Sequence, residues 1–121
     1  MREKTIFERI IDREIPAEII YEDEDFIAFL SINPNTPWLT LVVPKLWVHW
    51  VWDHPDTNAY FDVVKRIALA LRRAYNVELV RSSIYGEEVP HAHIHVFPDI
   101  DDDTSKNDLA HHGQLIREVL E

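Results

Sequence analysis

The stretch His91-Ala92-His93-Ile94-His95-Val96-Phe97 carries the information that decides both the fold and the candidate chemistry. Histidines alternate with apolar residues at the period of a β-strand, so the three imidazoles should project from one face of a sheet. Adjacent imidazoles then lie roughly 6.6 Å apart at the strand rise, near enough for two of them to flank one phosphate. Packing alone explains such a row poorly, because each imidazole needs a polar partner. The row therefore predicts a functional site.

Two chemistries fit this row of histidines. Imidazole is a common ligand of zinc and iron, and a metal site would need a further ligand such as Glu88, His49 or His54. Alternatively, a neutral imidazole attacks phosphorus and forms a covalent phosphohistidine, which water then hydrolyses. This second chemistry does not require a metal. Gly86, shortly before the row, favours a phosphate, because glycine allows backbone N–H groups to turn towards an anion.

Length and composition exclude several classes of protein. The chain has 121 residues, enough for one domain, and it contains no cysteine, so disulfides and thiolate metal sites are excluded. A formal net charge of −10 makes it a poor partner for a nucleic acid polymer, whose backbone is bound through Lys and Arg. No basic-then-apolar leader follows Met1, and no apolar run has the length of a membrane span. We therefore expect a soluble cytoplasmic domain that does not bind a membrane.

The periodicity of the rest of the chain predicts an α+β fold. Helices are expected from the N-terminal residues to Glu14, over residues 57–75, and near the end as far as about Leu120. Strands are expected at 18–21, 26–30, 39–43, 78–85 and 92–97, with a tight turn at 22–25. Together these elements predict an antiparallel sheet with helices packed on one side, in a single domain that spans residues 1–121.

The four tryptophans, Trp38, Trp47, Trp50 and Trp52, lie close together in the sequence. Aromatic faces stack on nucleobases, so a base platform is one interpretation. Such clustering more often buries large rings under a loop or at a subunit contact, and we favour this structural interpretation.

The histidine row resembles the His-φ-His-φ-His-φ-φ signature (φ apolar) of the histidine triad, or HIT, superfamily. Further segments look like those of its Hint branch and follow in the same order: 5–11, 14–17, 21–23, 28–29, 33–37 and 41–45. The resemblance implies a HIT-like fold with a five-stranded antiparallel sheet, and a homodimer in which two sheets join into one of ten strands. It also implies an enzyme that cleaves or transfers nucleoside phosphates joined to an amine, a phosphate or a similar group.

The resemblance also implies roles for individual residues. His93 would attack the α-phosphorus, His95 would hydrogen-bond the phosphate or help the leaving group depart, and His91 would fix the orientation and tautomer of the row. The residues that match the walls of the purine pocket are Ile6, Phe7, Ile10, Ile15, Phe29, Leu30 and Ile32. The other substrate-binding positions are Ser31, Gly86, Glu88 and Val89. The resemblance requires neither a metal ligand nor a cofactor.

Several positions depart from the family pattern. Ser31 stands where relatives place an Asp that holds the ribose hydroxyls, and a single hydroxyl is a weaker clamp than a carboxylate. Trp47 lies where the family often supplies a further histidine, and Glu88 where some members place a catalytic hydroxyl. Zinc-carrying bacterial members have cysteines near Thr5 and Glu8, which this chain lacks.

These observations lead to one main prediction and two alternatives. The main prediction is a purine nucleoside phosphoramidase, or a related nucleotide hydrolase or transferase, that works through a nucleotidyl-His93 intermediate without a metal. The first alternative is a nucleotide-binding or scaffold homodimer with little turnover, which Ser31 and Trp47 favour. The second alternative is a metal-dependent enzyme that uses the histidine row.

Overall fold

The computed structural model of the protein describes residues 2–32, 38–100 and 108–120, so the family-like segment 33–37 lies outside the described residues. The helices are α1 (Ile6–Ile11), α2 (Thr57–Tyr75) and α3 (Leu109–Val119), with a short 3-10 turn at Val51–Asp53. The strands are β1 (Ile19–Glu22), β2 (Phe26–Leu30), β3 (Thr40–Pro44), β4 (Val80–Ile84) and β5 (Ile94–Pro98). The predicted α+β elements are thus confirmed within the described ranges, with two differences in their bounds. Strands β4 and β5 each begin two residues later than expected, and α1 ends at Ile11 rather than at Glu14.

The strands form one five-stranded antiparallel sheet in the order β1-β2-β3-β5-β4. The strand that carries the histidine row is therefore inside the sheet, between β3 and β4. His95 pairs with Leu41 on one side and with Ser83 on the other. This topology makes β1 and β4 the edge strands and places His95 in the interior of the sheet.

The two faces of the sheet pack against different helices. The β2 residues that face α2 and α3 are Phe26, Ala28 and Leu30, and those that face α1 are Ile27 and Phe29. Because Phe7 and Ile10 of α1 bury their side chains in the second cluster, α1 lies on the face opposite the other two helices. The prediction that the helices cover one side of the sheet is therefore wrong for α1.

Helix α2 covers the first face with the apolar stripe expected from its periodicity. Its buried residues are Tyr60, Val63, Val64, Ile67, Ala70 and Leu71. The helix begins after Asp56, whose carboxylate accepts a hydrogen bond from Ala59 N–H at 3.0 Å. The Tyr60 hydroxyl donates to the Val42 carbonyl at 2.8 Å, which ties α2 to β3. No helix within the described ranges is both long and apolar enough to cross a membrane.

The turn between β1 and β2 is held by a single side chain. The Asp23 carboxylate accepts hydrogen bonds from the backbone N–H groups of Asp25 and Phe26, at 2.7 and 2.8 Å. An Asp side chain that binds the backbone two and three residues on is typical of tight turns. The predicted hairpin at 22–25 is therefore confirmed.

Candidate active site

The three histidines of the row lie on the face of the sheet that carries α1, as their alternation predicts. The Phe7 ring contacts both His91 and His93, with ring centroids 5.8 and 5.0 Å apart. Only His95 lies within β5, because the regular strand begins at Ile94. The His93 and His95 rings are 5.1 Å apart between centroids, nearer than the spacing expected for a regular strand. One phosphate can therefore contact both rings.

A main-chain hydrogen bond fixes the tautomer of His93. Its Nδ1 lies 2.7 Å from the carbonyl oxygen of His91, and a carbonyl oxygen only accepts. The proton of neutral His93 is thus on Nδ1, and Nε2 keeps its lone pair. Because His93 is only 7% exposed and lines a cleft, this lone pair belongs to an ordered, largely desolvated side chain. Such an imidazole is suited to nucleophilic attack.

His91 is fully buried and is held at both ring nitrogens. Its Nε2–H donates to the Pro44 carbonyl at 3.0 Å, and its Nδ1 accepts from the Thr5 hydroxyl at 2.9 Å. Burial lowers the pKa of His91, while the Pro44 carbonyl and the Glu8 carboxylate act in the opposite direction. The ring is therefore held neutral, in one tautomer and one orientation.

His95 contacts strand β4 and is also favoured in its neutral form. Its Nδ1 lies 3.3 Å from the Ser83 hydroxyl oxygen. Burial lowers the pKa of His95, the neighbouring His93 adds to that effect, and Glu88 opposes it. A neutral imidazole in this position can still donate one N–H to a phosphate oxygen.

The cleft beside His93 and His95 has a volume of about 640 Å³ and continues into a smaller apolar pocket of about 130 Å³. The predicted substrate-binding residues that line the cleft are Ile6, Phe7, Ser31, Ile32, Gly86, Glu88 and Val89. Those that line only the smaller pocket are Ile10, Ile15, Phe29 and Leu30. The structure thus brings all the predicted positions together, although the Leu30 side chain packs in the core that faces α2.

Sequence reasoning missed several residues of the site. The additional residues that line the cleft are Leu39, Leu41, Tyr85 and Glu87. It also missed the hydrogen bonds that Thr5 and Ser83 make to the histidine row. The pattern Thr5-x-x-Glu8 is a readable capping-box signal for the start of α1, and the structure contains that box. Nothing in this local signal indicates that the same hydroxyl contacts a histidine 86 residues away.

The segment 47–50 fastens the loop that precedes the row. The Trp47 indole N–H donates to the Pro90 carbonyl at 2.8 Å, and His49 Nε2–H donates to the Gly86 carbonyl at 3.0 Å. Trp50 stacks on His49 and lies so close to Gly86 that a β-carbon there would be 2.4 Å from the indole. These contacts support the structural interpretation for Trp47 and Trp50.

The tryptophans do not form a base platform at the cleft. None of Trp38, Trp47, Trp50 and Trp52 is among the residues that line it. Trp38 instead contacts the His112 ring, with centroids 6.1 Å apart, and Trp52 is 67% exposed. His112 is buried beside Tyr75, as expected of a packing residue.

Several of the donor atoms that a metal centre on the row would use make hydrogen bonds instead. In the part of the chain that the structure describes, no three His, Cys, Asp or Glu side chains are grouped so that they could hold a metal ion. Both ring nitrogens of His91 make hydrogen bonds, and His49 Nε2 binds the Gly86 carbonyl. His54 Nδ1 accepts from the Asp56 N–H at 3.0 Å. The described residues therefore do not fit a metal site built on the row.

Comparisons with known proteins give a consistent result. Residues 12–102 match the family model described as the HIT domain. The chain is 38% identical over 99 residues to an uncharacterised HIT-like protein of Methanocaldococcus jannaschii, an alignment that covers 77% of each chain. Among solved structures, it is similar to a HIT-like protein involved in cell-cycle regulation from Bartonella henselae. That similarity has a TM-score of 0.86 and 31% identity, and covers 98% of both chains.

Two further structural neighbours bear on the chemistry. A zinc-bound histidine triad family protein from Mycobacterium smegmatis has a TM-score of 0.81 and 32% identity over 94% of this chain and 91% of its own. A HIT family hydrolase from Clostridium thermocellum has a TM-score of 0.66 and 29% identity over 86% of this chain and 99% of its own. The zinc is a property of the mycobacterial protein, and within the residues that the structure describes the donor set above does not reproduce a zinc site.

Proposed function

The chain belongs to the HIT domain family, and from this membership and the geometry of the histidine row we propose a specific activity. It cleaves purine nucleoside phosphoramidates, and related nucleoside phosphate conjugates, at the α-phosphate through a covalent nucleotidyl-His93 intermediate. The observation that carries the proposal is the 2.7 Å hydrogen bond from His93 Nδ1–H to the His91 carbonyl, which leaves the Nε2 lone pair available. A cleft of about 640 Å³ beside that nitrogen is large enough for a nucleotide.

The proposed reaction has two displacements at phosphorus. In the first, His93 Nε2 forms a bond to the α-phosphorus and the bond from phosphorus to the substrate nitrogen breaks. The departing nitrogen takes a proton from solvent and leaves as the amine. In the second, a water oxygen attacks phosphorus, the bond to His93 breaks, and the water proton returns to solvent. The products are a nucleoside monophosphate and the amine, with one water consumed.

Charge on the transferring phosphate is stabilised by donors around the cleft. His95 donates N–H to a phosphate oxygen, which its position 5.1 Å from the His93 ring supports. Backbone N–H groups of the segment that begins at Gly86 supply further donors. The purine enters the apolar pocket beside Phe7 and Phe29, while Ser31, which lines both cavities, contacts the ribose.

We also propose that two copies of the chain associate through β4. Of the two edge strands, β1 is approached by α3, whose Arg117 donates to the Ile19 carbonyl at 3.0 Å. Strand β4 is the more open edge, and Leu79, which directly precedes it, is 47% exposed. An exposed edge strand with an apolar neighbour is a template for pairing with another chain. Pairing of β4 with its copy would give the ten-stranded sheet.

The test of the enzymatic proposal is hydrolysis of an adenosine phosphoramidate by chelator-treated protein. His93→Ala should lower kcat about a thousandfold or more, because the nucleophile is lost, while nucleotide binding remains measurable. His111→Ala, the same change at an exposed position on α3, is the matched control and should keep full activity. Acid quenching of the wild type should trap a nucleotidyl adduct that is absent in His93→Ala.

Other outcomes distinguish the alternatives. Full activity in His93→Ala would contradict the covalent mechanism. Activity that disappears with the chelator and returns with added metal would favour the metal-dependent enzyme. If the wild type binds nucleotide without turnover, the binding homodimer becomes the better description, and Ser31 and Trp47 are then the first positions to restore to the family pattern.

A further inference from the structure

A closed set of contacts joins the start of α1 to the segment that carries His91. The Arg2 guanidinium donates to both oxygens of the Glu8 carboxylate, at 2.6 and 2.9 Å. The same carboxylate accepts from the backbone N–H of Thr5 at 2.9 Å. The Thr5 hydroxyl then contacts His91 Nδ1 at 2.9 Å. One side of the set therefore runs from Arg2 to His91 through charged and neutral hydrogen bonds.

The other side returns to Arg2 through Trp47. The guanidinium carbon lies 3.9 Å from the centroid of the Trp47 ring, which is the distance of a cation–π contact. The Trp47 indole N–H donates to the carbonyl of Pro90, the residue before His91. We call Arg2, Thr5, Glu8, Trp47 and the Pro90–His91 segment the anchoring ring. Each contact in the anchoring ring joins a different pair of chemical groups, so the loss of one contact is not compensated by a second contact of the same kind.

In the hydrogen bond between Thr5 and His91, the hydroxyl is the donor and the imidazole is the acceptor. The Thr5 hydroxyl accepts from the Glu8 backbone N–H at 3.1 Å, so its own hydrogen is free to be donated. His91 Nε2 faces the Pro44 carbonyl, which only accepts, so Nε2 carries the proton and Nδ1 is the acceptor. Thr5 and Pro44 together therefore specify the neutral Nε2–H tautomer of His91.

We propose that the anchoring ring is a positioning device for the phosphoryl-transfer site, built from residues that do not line the cleft beside His93. It holds His91 in place, and with His91 the carbonyl that sets the tautomer of His93 at 2.7 Å. Arg2, Thr5, Glu8 and Trp47 are positioning residues in this account, because they act on the nucleophile through His91. The inference rests on the proposed function, since it assigns His93 as the nucleophile.

Reversing the direction of one hydrogen bond tests the anchoring ring without removing the helix cap. Asp is as good an N-cap as Thr, so Thr5→Asp should keep α1 capped. Its carboxylate only accepts, so it should force a proton onto His91 Nδ1 and make the imidazole cationic beside His93. The other charged and titratable groups that act on His91 are Glu8 and Arg2, from the α1 side, and His93 from the row itself, and these are unchanged. Thr5→Ser keeps a hydroxyl that both accepts and donates.

Two readouts separate positioning from general stability. Nitrogen-15 NMR of the imidazoles should show neutral Nε2–H His91 in the wild type and in Thr5→Ser, and doubly protonated His91 in Thr5→Asp at the same pH. With the adenosine phosphoramidate, Thr5→Asp should lower kcat about tenfold or more and change KM less than about threefold. Thr5→Ser should restore kcat to within about threefold of the wild type.

Different results would contradict the anchoring ring and the proposed enzymatic activity. Wild-type kcat and a neutral His91 in Thr5→Asp would overturn the anchoring ring, as would an equal loss of kcat in Thr5→Ser. If the wild type does not hydrolyse the substrate, the proposed function fails, and the NMR comparison alone decides whether Thr5 sets the His91 tautomer. If Thr5→Asp does not fold, Thr5→Val replaces it, with Asp56→Ala as the control that removes a cap at α2. Loss of kcat in Thr5→Val but not in Asp56→Ala supports the ring, and equal kcat in both overturns it.

Discussion

At the scale of single residues, the site is organised by carbonyl oxygens as much as by side chains. The His91 carbonyl orients His93, and the Pro44 carbonyl orients His91. A main-chain acceptor cannot be removed by a side-chain substitution, so the tautomer of His93 is robust to many changes around it. What a substitution can change is the position of the segment that presents the carbonyl, and that position depends on the side chains packed against it.

Glu8 gives a pH-dependent test of one such side chain. The Arg2 guanidinium holds the pKa of Glu8 at about 2, against an ordinary value of 4.5. Because the folded-state pKa is the lower one, this ion pair stabilises the fold above pH 4.5, and the stabilisation is lost as the pH falls from 4.5 towards 2. Glu8→Gln should therefore lower the free energy of unfolding at neutral pH and narrow its difference from the wild type across that window.

The measurement is urea unfolding at a series of pH values. Arg2→Gln is the matched variant, because it removes the other partner of the ion pair. Its difference in unfolding free energy from the wild type should also become smaller as the pH falls from 4.5 towards 2. The double variant should add little to either single change, since both act on one interaction. A Glu8→Gln curve that runs parallel to the wild type from neutral pH to the acid limit would contradict this account.

At the scale of elements, the connection from β3 to α2 serves the site from outside it. Segment 47–50 lies between those elements and fastens the loop from Gly86 to Pro90 at both ends. The N–H of Ala92 also donates to the Val48 carbonyl at 2.8 Å, which extends the contact into the histidine row. The path of the chain that leads into β5 therefore depends on segment 47–50, which contributes no residue to the cleft.

Gly86 is where this fastening is tightest. Its φ of +145° is one that only glycine adopts easily, and an added methyl group would lie 2.4 Å from a carbon of Trp50. The backbone conformation alone should make Gly86→Ala cost about 1–3 kcal/mol of unfolding free energy, and the contact with Trp50 should add to that cost. The substitution should also raise KM, since Gly86 lines the cleft. Denaturant unfolding and steady-state kinetics provide the two readouts.

A double-mutant cycle divides this cost into its two causes. Trp50→Ala should recover the steric part in the Gly86→Ala background and leave the conformational part. Trp52→Ala removes a nearby but exposed indole and is the matched control, which should recover nothing. Equal recovery by both tryptophan changes, or wild-type stability in Gly86→Ala, would show that Trp50 does not hold the loop.

At the scale of the whole molecule, the features that could be predicted from the sequence are those that depend on the local periodicity of apolar residues. Alternation through Ile94 placed the histidines on one face, and the apolar stripe that includes Tyr60 placed α2 against the sheet. The pocket positions came from ordered motifs shared with the HIT family. The Thr5–His91 contact and the packing of α1 on the opposite face were not predicted. Both features depend on which segments, far apart in the sequence, pack together in the fold. The pattern of apolar residues within a single segment does not specify its distant partner.

Association of two copies is the property that most concerns the whole molecule. We expect the chain to be a dimer in solution, paired through β4, at an ionic strength of about 0.15 M, where charges more than about 8 Å apart are largely screened. Screening matters because each copy has a formal net charge of −10. Leu79→Glu adds a charge beside the open edge strand and, across a two-fold axis, beside its own copy. The variant should therefore be monomeric at micromolar concentration.

The control for that variant is the same change on another part of the surface. Leu46 is 55% exposed and lies with Phe26 of β2, which β3 and β5 separate from β4. Leu46→Glu should leave the dimer intact, because it adds the same charge away from the paired edge. Sedimentation velocity gives the mass of each variant. A monomeric wild type would contradict the homodimer, and a dimeric Leu79→Glu beside a monomeric Leu46→Glu would move the interface away from β4 to the surface around Leu46.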